Sequence, residues 1–530
     1  MSMKSMYTRR QILGLIGAIS GTAATLRVST ALGLTPDATA VTAPQIPPLP
    51  PGQRRTVAVL GAGISGLTAA YELRRAGYTV VVLEAARKAG GRCMTVRSGD
   101  LIDEIGNPQI CDFDNEPHLY FNGGPARIPG SHRNLMHYCR ELGVELEVFI
   151  NENKEAWFQD DALLGGRPVR NKEFTTDARG FMAEIMAKSF TTADLDMPLS
   201  EWEAGQLRET IHAFGDLDGD GRYRGSTRSG YATGGYLKHG TRKEVIALKE
   251  LLQTPYIRTA LAANEGETGP MLFQPVGGMD MIIKGFERQL PGVIKYSAVV
   301  TAINLTGSGV DVEYEHDGVR QMVRADYCFN CIPTHLTSGI NNNFSDEYRR
   351  ALDYPVRGQA YKSAFQSKER FWEKDDTYGG ITWTNQPIRQ IWYPSHGIHK
   401  KKGVILSAYD FGGGMHFTQL SQEQRIESAI RQGEKVHPDY RQQVEKGITI
   451  AWHRMNNMLG CAARWQRYGL DMTPDEQGMF DGLIEPAGGR HYIIGDQVTL
   501  HAGWQESAIL STHRALADMM AREQQSTGVS

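Results

Sequence analysis

The first clear pattern in the chain is an uncharged, β-rich run, Thr56-Val57-Ala58-Val59-Leu60, without alternation of polar and apolar positions. A run apolar on both faces predicts a central strand of a parallel sheet. Gly61-Ala62-Gly63-Ile64-Ser65-Gly66 follows at once, and Leu67-Thr68-Ala69-Ala70-Tyr71-Glu72-Leu73 then takes up helical spacing. Gly77 ends that helix, and Tyr78 to Leu83 forms a second β-rich run stopping at Glu84, which completes a βαβ unit. Other β-rich runs, Val299 to Leu305, Val310 to Tyr314, Val404 to Tyr409 and His491 to Ile494, lie far apart, so the sheet is expected to be reassembled from distant segments. Residues 175 to 265 are rich in helix formers and poor in strand signals, predicting a helical insertion. No repeat of solenoid period occurs.

The first residues read differently. Thr8-Arg9-Arg10-Gln11-Ile12-Leu13 is a twin-arginine pattern, and Leu13 to Leu26 is an apolar stretch rich in Gly, Ala and Ser. This reads as a bacterial Tat-type signal for export to the periplasm or beyond. The apolar stretch is shorter than the roughly 20 residues of a spanning helix, so no stable membrane anchor is expected. Pro36, Pro44, Pro47, Pro48, Pro50 and Pro51 then predict an extended linker.

Composition narrows the partners. The 530 residues carry 57 Lys and Arg against 60 Asp and Glu, a net charge of -3, which supplies no global field for gathering nucleic acid. Glycine is abundant, at 58 residues, and marks places where the backbone bends sharply or lies close to a ligand. The six cysteines, at 93, 111, 139, 328, 331 and 461, show no disulfide framework. Cys328-Phe329-Asn330-Cys331 stands without a second pair or a histidine cluster, so buried free thiols are expected there rather than zinc. Asp216-Leu217-Asp218-Gly219-Asp220-Gly221 begins like an EF-hand loop but has Thr227 where the bidentate Glu belongs, and no metal is expected.

The glycine pattern gains weight from its setting between strand and helix, with Glu84 lying 23 positions after Gly61. Gly61 permits the tight turn, Gly63 lets backbone N–H groups approach a pyrophosphate, and Gly66 lets helix and strand pack closely. Ser65 lies in the first turn of the helix, whose N-terminus favours phosphate. Glu84 would accept from ribose hydroxyls. Gly90-Gly91-Arg92-Cys93-Met94-Thr95 extends the pattern, and Arg92 would add charge against the pyrophosphate. The whole resembles the FAD-binding signature of the flavin amine oxidases, which implies FAD rather than NAD.

Further segments, spanning about residues 55 to 520, are similar to L-amino-acid oxidases of that family. They are Asn122-Gly123-Gly124-Pro125-Ala126-Arg127-Ile128-Pro129-Gly130-Ser131-His132, Gln274-Pro275-Val276-Gly277-Gly278-Met279-Asp280, Phe371-Trp372-Glu373, Trp392-Tyr393-Pro394-Ser395-His396, and Gly495-Asp496 through His501-Ala502-Gly503-Trp504-Gln505-Glu506-Ser507. The resemblance implies an α/β fold: a Rossmann-like, glutathione-reductase-like FAD-binding domain from segments 54–98, 275–355 and 478–525, a mixed-sheet substrate domain from 99–174 and 356–477, and a helical domain at 175–274. Residues 1–33 would be the signal and 34–53 the linker. It further implies that Arg127 and Tyr409 bind a substrate carboxylate, that the Gly503 carbonyl takes the amino group, that Trp504 walls the flavin, and that Lys362 lies beside flavin N5. Asp496 would hold the ribityl chain, with Gly91, Gly124, Pro125, Ala126, Val300, Gln505 and Ser507 completing the cofactor site. No cysteine adjoins the C-terminal motif, so FAD would be noncovalent.

The expected activity is oxidative deamination of L-amino acids, with hydride passing from Cα to flavin N5 and oxygen leaving as hydrogen peroxide, in a homodimer. An amine or polyamine oxidase, an amino-acid 2-monooxygenase and a non-catalytic flavoprotein remain alternatives. Each named side chain also has a structural reading: Arg127 in an internal salt bridge, Tyr409 as a strand tyrosine, Trp504 as core, Lys362 on the surface. Two departures from venom members stand out. Residues 260 to 264 lack their histidine, and Ala502 replaces a second one. The acidic stretch 99–119 would shape an entrance for cationic substrates or form a solvated loop.

Overall fold

The computed structural model describes residues 43–189, 199–262, 268–269, 271–412, 415–466 and 471–527. The Tat-type pattern, Pro36, and residues 263–264 of the segment without histidine lie outside the described residues. Among the described residues, no helix is long and apolar enough to cross a membrane.

A five-stranded parallel sheet forms the first layer, in the order Ile294–Lys295, Thr79–Leu83, Thr56–Leu60, Tyr327–Asn330 and His491–Ile493. Its central strand buries Val57, Ala58, Val59 and Leu60 completely, because the helices Ile64–Arg75 and Gln505–Thr527 cover one face and apolar residues such as Ile303, Val312 and Leu352 the other. That two-sided burial is what the unbroken apolar run required.

The other β-rich runs are divided among three sheets. Only His491–Ile493 joins the parallel sheet. Ala298–Leu305 and Val310–His316 form an antiparallel meander with Val319–Ala325. The sequence Val310-Asp311-Val312-Glu313-Tyr314 alternates between buried and half-buried positions, the pattern of a strand with one wet face. Gly403–Phe411 lies in a seven-stranded mixed sheet beside Ala360–Ser367, whose eight residues are all buried. The helices Asn171–Ser189 and Glu201–Gly215 pack together beside that sheet, the second opened by a capping box of Ser200 and Glu203.

Part of the acidic stretch and of the EF-hand-like loop is paired within the protein, while Asp103, Asp112, Glu116 and Asp220 are exposed. Glu104 is buried against Arg425, Asp114 pairs with Lys402 and Lys446, and Asp100 with Lys88. None of these acids faces the cavity described below. Asp216 pairs with Arg228 and Asp218 with Arg224, so both carboxylates are already compensated. All six cysteines are free thiols.

Candidate active site

A cavity of about 550 Å³ runs between the parallel sheet and the mixed sheet, and it gathers residues from both ends of the chain. At its floor lies the glycine turn. Gly61 has φ +95° and a Cβ there would meet the Cys331 sulfur at 2.8 Å, while a Cβ on Gly66 would lie 2.1 Å from the Gly61 carbonyl oxygen. Both positions therefore demand glycine. Gly63 is open, with no atom within 4 Å of a Cβ. The helix begun at Ile64 has no side-chain cap, so its first turn faces the cavity with donors a phosphate can take. The Cys331 thiol donates to the carbonyls of Leu60 and Gly61, both at 3.1 Å, which ties the turn to the neighbouring strand.

Glu84 lines the same end. Its carboxylate accepts from the N–H groups of Ala62 (2.6 Å) and Ala86 (2.8 Å). Burial pushes this carboxyl up, and the two backbone donors oppose that rise. Gly91 and Arg92 follow, and Arg92 is not free to face a phosphate alone. Its guanidinium makes a two-pronged pair with buried Asp496 (2.5 and 3.0 Å) and also donates to the Cys461 carbonyl at 3.3 Å. Asp496 accepts further from Gly503 N at 2.8 Å. Burial pushes Asp496 up, but the Arg92 charge and hydrogen bonds, with help from Arg357 and Gly503, outweigh it and hold the carboxyl below its usual value.

The other end is aromatic and basic. Arg127, Lys362, Trp392, Tyr409, Phe411, Trp452 and Trp504 line it, with Gly124, Pro125, Ala126 and Gly503. Gly124 lies flat against the backbone of Arg92, where a Cβ would fall 1.7 Å from the Arg92 carbonyl oxygen. Arg127 directly precedes the strand Ile128–Pro129, which pairs with Leu272–Pro275 and so aims its base. Its guanidinium donates to Asn151 Oδ1 at 2.6 Å and lies 4.9 Å from the Trp392 ring. Among the described residues no carboxylate comes within ion-pairing distance of it. Burial lowers its affinity for its proton, with the Tyr409 phenol opposing, yet a guanidinium stays charged.

Lys362 and Tyr409 are register partners on adjacent strands, so the mixed sheet delivers both to one place. Lys362 is buried, donates to the carbonyls of Asn122 (3.2 Å) and Gly124 (2.5 Å), and lies 4.8 Å from the Tyr409 ring. Desolvation pulls its pKa from 10.5 to about 7. Tyr409 moves the other way, to about 12, chiefly by desolvation, so its hydroxyl keeps its proton and donates. Trp504 stacks parallel to His501 at 6.3 Å and takes the edge of His132 at 5.0 Å.

Of the residues singled out in the sequence, Gly61, Gly63, Ser65, Glu84, Gly91, Arg92, Gly124, Pro125, Ala126, Arg127, Val300, Lys362, Tyr409, Asp496, Gly503, Trp504 and Gln505 line this one cavity. Gly66 and Ser507 do not. Gly66 is used for packing, and the Ser507 hydroxyl turns to the His501 carbonyl at 2.6 Å. The sequence reading also missed Asn151, Phe411, Trp452 and Cys461. Cys461 is remote from the C-terminal motif in sequence, but its neighbour Ala462 packs on Gly503, 3.4 Å from where a Cβ would stand. No local pattern marks these residues, since only the meeting of sheets brings them in.

The model of the flavin containing amine oxidoreductases matches residues 64–520. The chain is 25% identical over 491 residues to an L-amino-acid oxidase of Echis ocellatus, covering 88% of this chain and 89% of that one. It is also 25% identical over 505 residues to the flavin-dependent L-tryptophan oxidase RebO of Lentzea aerocolonigenes, covering 88% and 98%. Among solved structures, putrescine oxidase bound to putrescine superposes with a TM-score of 0.57 at 18% identity, covering 88% of this chain and 99% of that one.

Proposed function

Because this chain belongs to the flavin-containing amine oxidoreductases, we propose that it oxidises L-amino acids to 2-oxo acids, releasing ammonia and hydrogen peroxide. FAD is its cofactor, and the residues present fit it: an uncapped helix start above open Gly63, a carboxylate lining the same end of the cavity at Glu84, and backbone at Gly124 that admits no side chain. When bound, FAD supplies the acceptor for the two electrons and the hydrogen leaving Cα, and dioxygen restores it.

The observation that carries the substrate class is Arg127, a half-buried guanidinium lining the cavity without a carboxylate partner in the described residues. A charge in that position is costly unless a ligand compensates it, and a planar fork suits a carboxylate. Tyr409 donates a second hydrogen bond to the same carboxylate, and the Gly503 carbonyl receives the substrate amino group. Trp392, Phe411 and Trp504 exclude water from the reacting carbon. The imino acid then hydrolyses in water. An amine oxidase would have no use for Arg127.

A peroxide-coupled comparison of L-amino acids, their D-enantiomers and the corresponding amines tests the proposal. Peroxide from L-amino acids and none from the amines is the expected result; the reverse would overturn it. Recovery of the 2-oxo acid rather than an amide and carbon dioxide separates oxidase from monooxygenase. Denaturation is expected to release FAD into the protein-free filtrate, and flavin fluorescence retained on the polypeptide would contradict noncovalent binding.

Lys362 holds a proton beside the reacting end. With its pKa near 7, it changes charge within the working range. Lys362→Met is expected to slow turnover about 100-fold and to remove a limb near neutral pH from the rate profile. Stability gives an independent check. Between pH about 7 and 10.5 the unfolded lysine carries a proton that the folded one lacks, so wild-type stability rises with pH across that window. Lys362→Met should therefore raise Tm most below pH 7, with the gain fading as pH approaches 10.5. A pH-independent difference in Tm would argue against a desolvated lysine.

A further inference from the structure

Arg127 is held by an amide where an internal salt bridge would have used an acid. Asn151 Oδ1 accepts from Nη1 at 2.6 Å, while the Trp392 ring lies 4.9 Å from the guanidinium carbon. Asn151 does not line the cavity, so it reaches the substrate only through Arg127.

The segment carrying Asn151 has no regular secondary structure, yet its backbone is pinned on every side. Phe149 N donates to the Leu272 carbonyl, Ile150 N to Ser395 Oγ, and Gly380 N to the Ile150 carbonyl, each at 2.9 Å. Gly379 and Gly380 pass so close that a Cβ on either would lie 2.8 Å from Ile150 Cβ or 2.3 Å from Asn153 Cβ. Glycines at 379 and 380 thus let the segment seat, and seating fixes where the Asn151 amide points.

We propose that Asn151 is a positioning residue for substrate recognition: its amide oxygen orients the Arg127 guanidinium into the cavity while leaving its charge uncompensated for an incoming carboxylate. The chemistry distinguishes the amide from its near-isostere. A neutral acceptor fixes direction and leaves the cation to be satisfied by ligand. An aspartate of the same shape would satisfy it permanently and compete with the substrate. This inference rests on the reading of the site as an amino-acid oxidase.

The test uses FAD-loaded protein and benzoate, a simple carboxylate suited to an aromatic-lined end, titrated through the absorbance change of the bound flavin. L-Phenylalanine turnover is followed alongside. Asn151→Asp is expected to weaken benzoate and raise KM by about 100-fold, with kcat within about threefold of the unmodified enzyme. Asn151→Ala should weaken both by about tenfold, since direction is lost but no competing charge is added. A merely structural role would move Tm and FAD content in both variants and would not rank aspartate below alanine. Benzoate affinity within about twofold of wild type in either variant overturns the inference and leaves the oxidase reading standing. If the unmodified protein neither binds benzoate nor oxidises any L-amino acid, the oxidase reading fails and takes this inference with it. Should Asn151→Asp fail to fold, Asn151→Ala alone decides through the same titration.

Discussion

Arg127→Ala is expected to lower kcat/KM for L-amino acids by about 10,000-fold while the protein still binds FAD. Two effects combine. Losing a desolvated pair between guanidinium and carboxylate costs about 2–5 kcal/mol, and losing the fork that aims Cα costs roughly another hundredfold in rate. The cofactor should stay, because the groups that grip it lie elsewhere: the glycine turn, Glu84, and the Arg92–Asp496 pair. Arg127→Lys should recover part of the loss, since a single ammonium restores charge but not two-pronged geometry. Steady-state kinetics with the absorbance spectrum of the holoenzyme check both halves. Turnover of L-amino acids at the wild-type rate by Arg127→Ala would remove the basis of the proposed function.

Arg92→Leu is expected to destabilise the protein by about 3–5 kcal/mol and to strip it of FAD. Asp496 is buried and its carboxylate depends on Arg92 for two hydrogen bonds; without them, Gly503 N still donates to it and Arg357 is its nearby charge. The pH dependence follows with a definite sign. In wild type the carboxyl sits below its ordinary value, so its contribution to stability is present above about pH 4 and is lost as pH falls through the depressed value. In Arg92→Leu only burial and weaker partners remain, the carboxyl rises, and protonation relieves the penalty. The gap in stability between the two proteins should therefore shrink as pH falls. Denaturant unfolding at several pH values measures it, and a double replacement with Asp496→Asn should cost less than the sum of the single ones. Additive costs would mean that the pair is not coupled.

How much of the site was legible depended on whether its chemistry is local. The glycine turn and Glu84 occupy one βαβ unit, where Gly61 answers a local positive φ, Gly66 the Gly61 carbonyl five residues before it, and Gly63 leaves open space, so their spacing alone located that end of the cavity. The aromatic and basic end had no such local signature. Arg127, Lys362, Tyr409 and Trp504 were named through family resemblance, and their own neighbourhoods allow equally for a salt bridge, a surface lysine, a strand tyrosine or a core indole. The pairing of Arg92 with Asp496, 404 positions away, leaves no local signal, since in sequence Arg92 reads as a pyrophosphate contact and Asp496 as a ribityl contact. The strand runs were recognised, but their division among three sheets was not, because β-propensity records how a strand can pack and not which strand it will meet.

By itself, then, the sequence determined the dinucleotide turn, the helix that follows it and the alternation that makes each strand one-sided or two-sided, because these obey sterics and periodicity over a dozen residues. Tertiary structure alone decided that Lys362 is dry, that Arg127 is braced by Asn151 and, among the described residues, has no acid beside it, and that Glu104, Asp114 and Asp100 are spent on Arg425, Lys402, Lys446 and Lys88. Desolvation and charge compensation depend on which segments, hundreds of residues apart, come to lie within a few ångströms, and that is set when the two sheets close over the cavity.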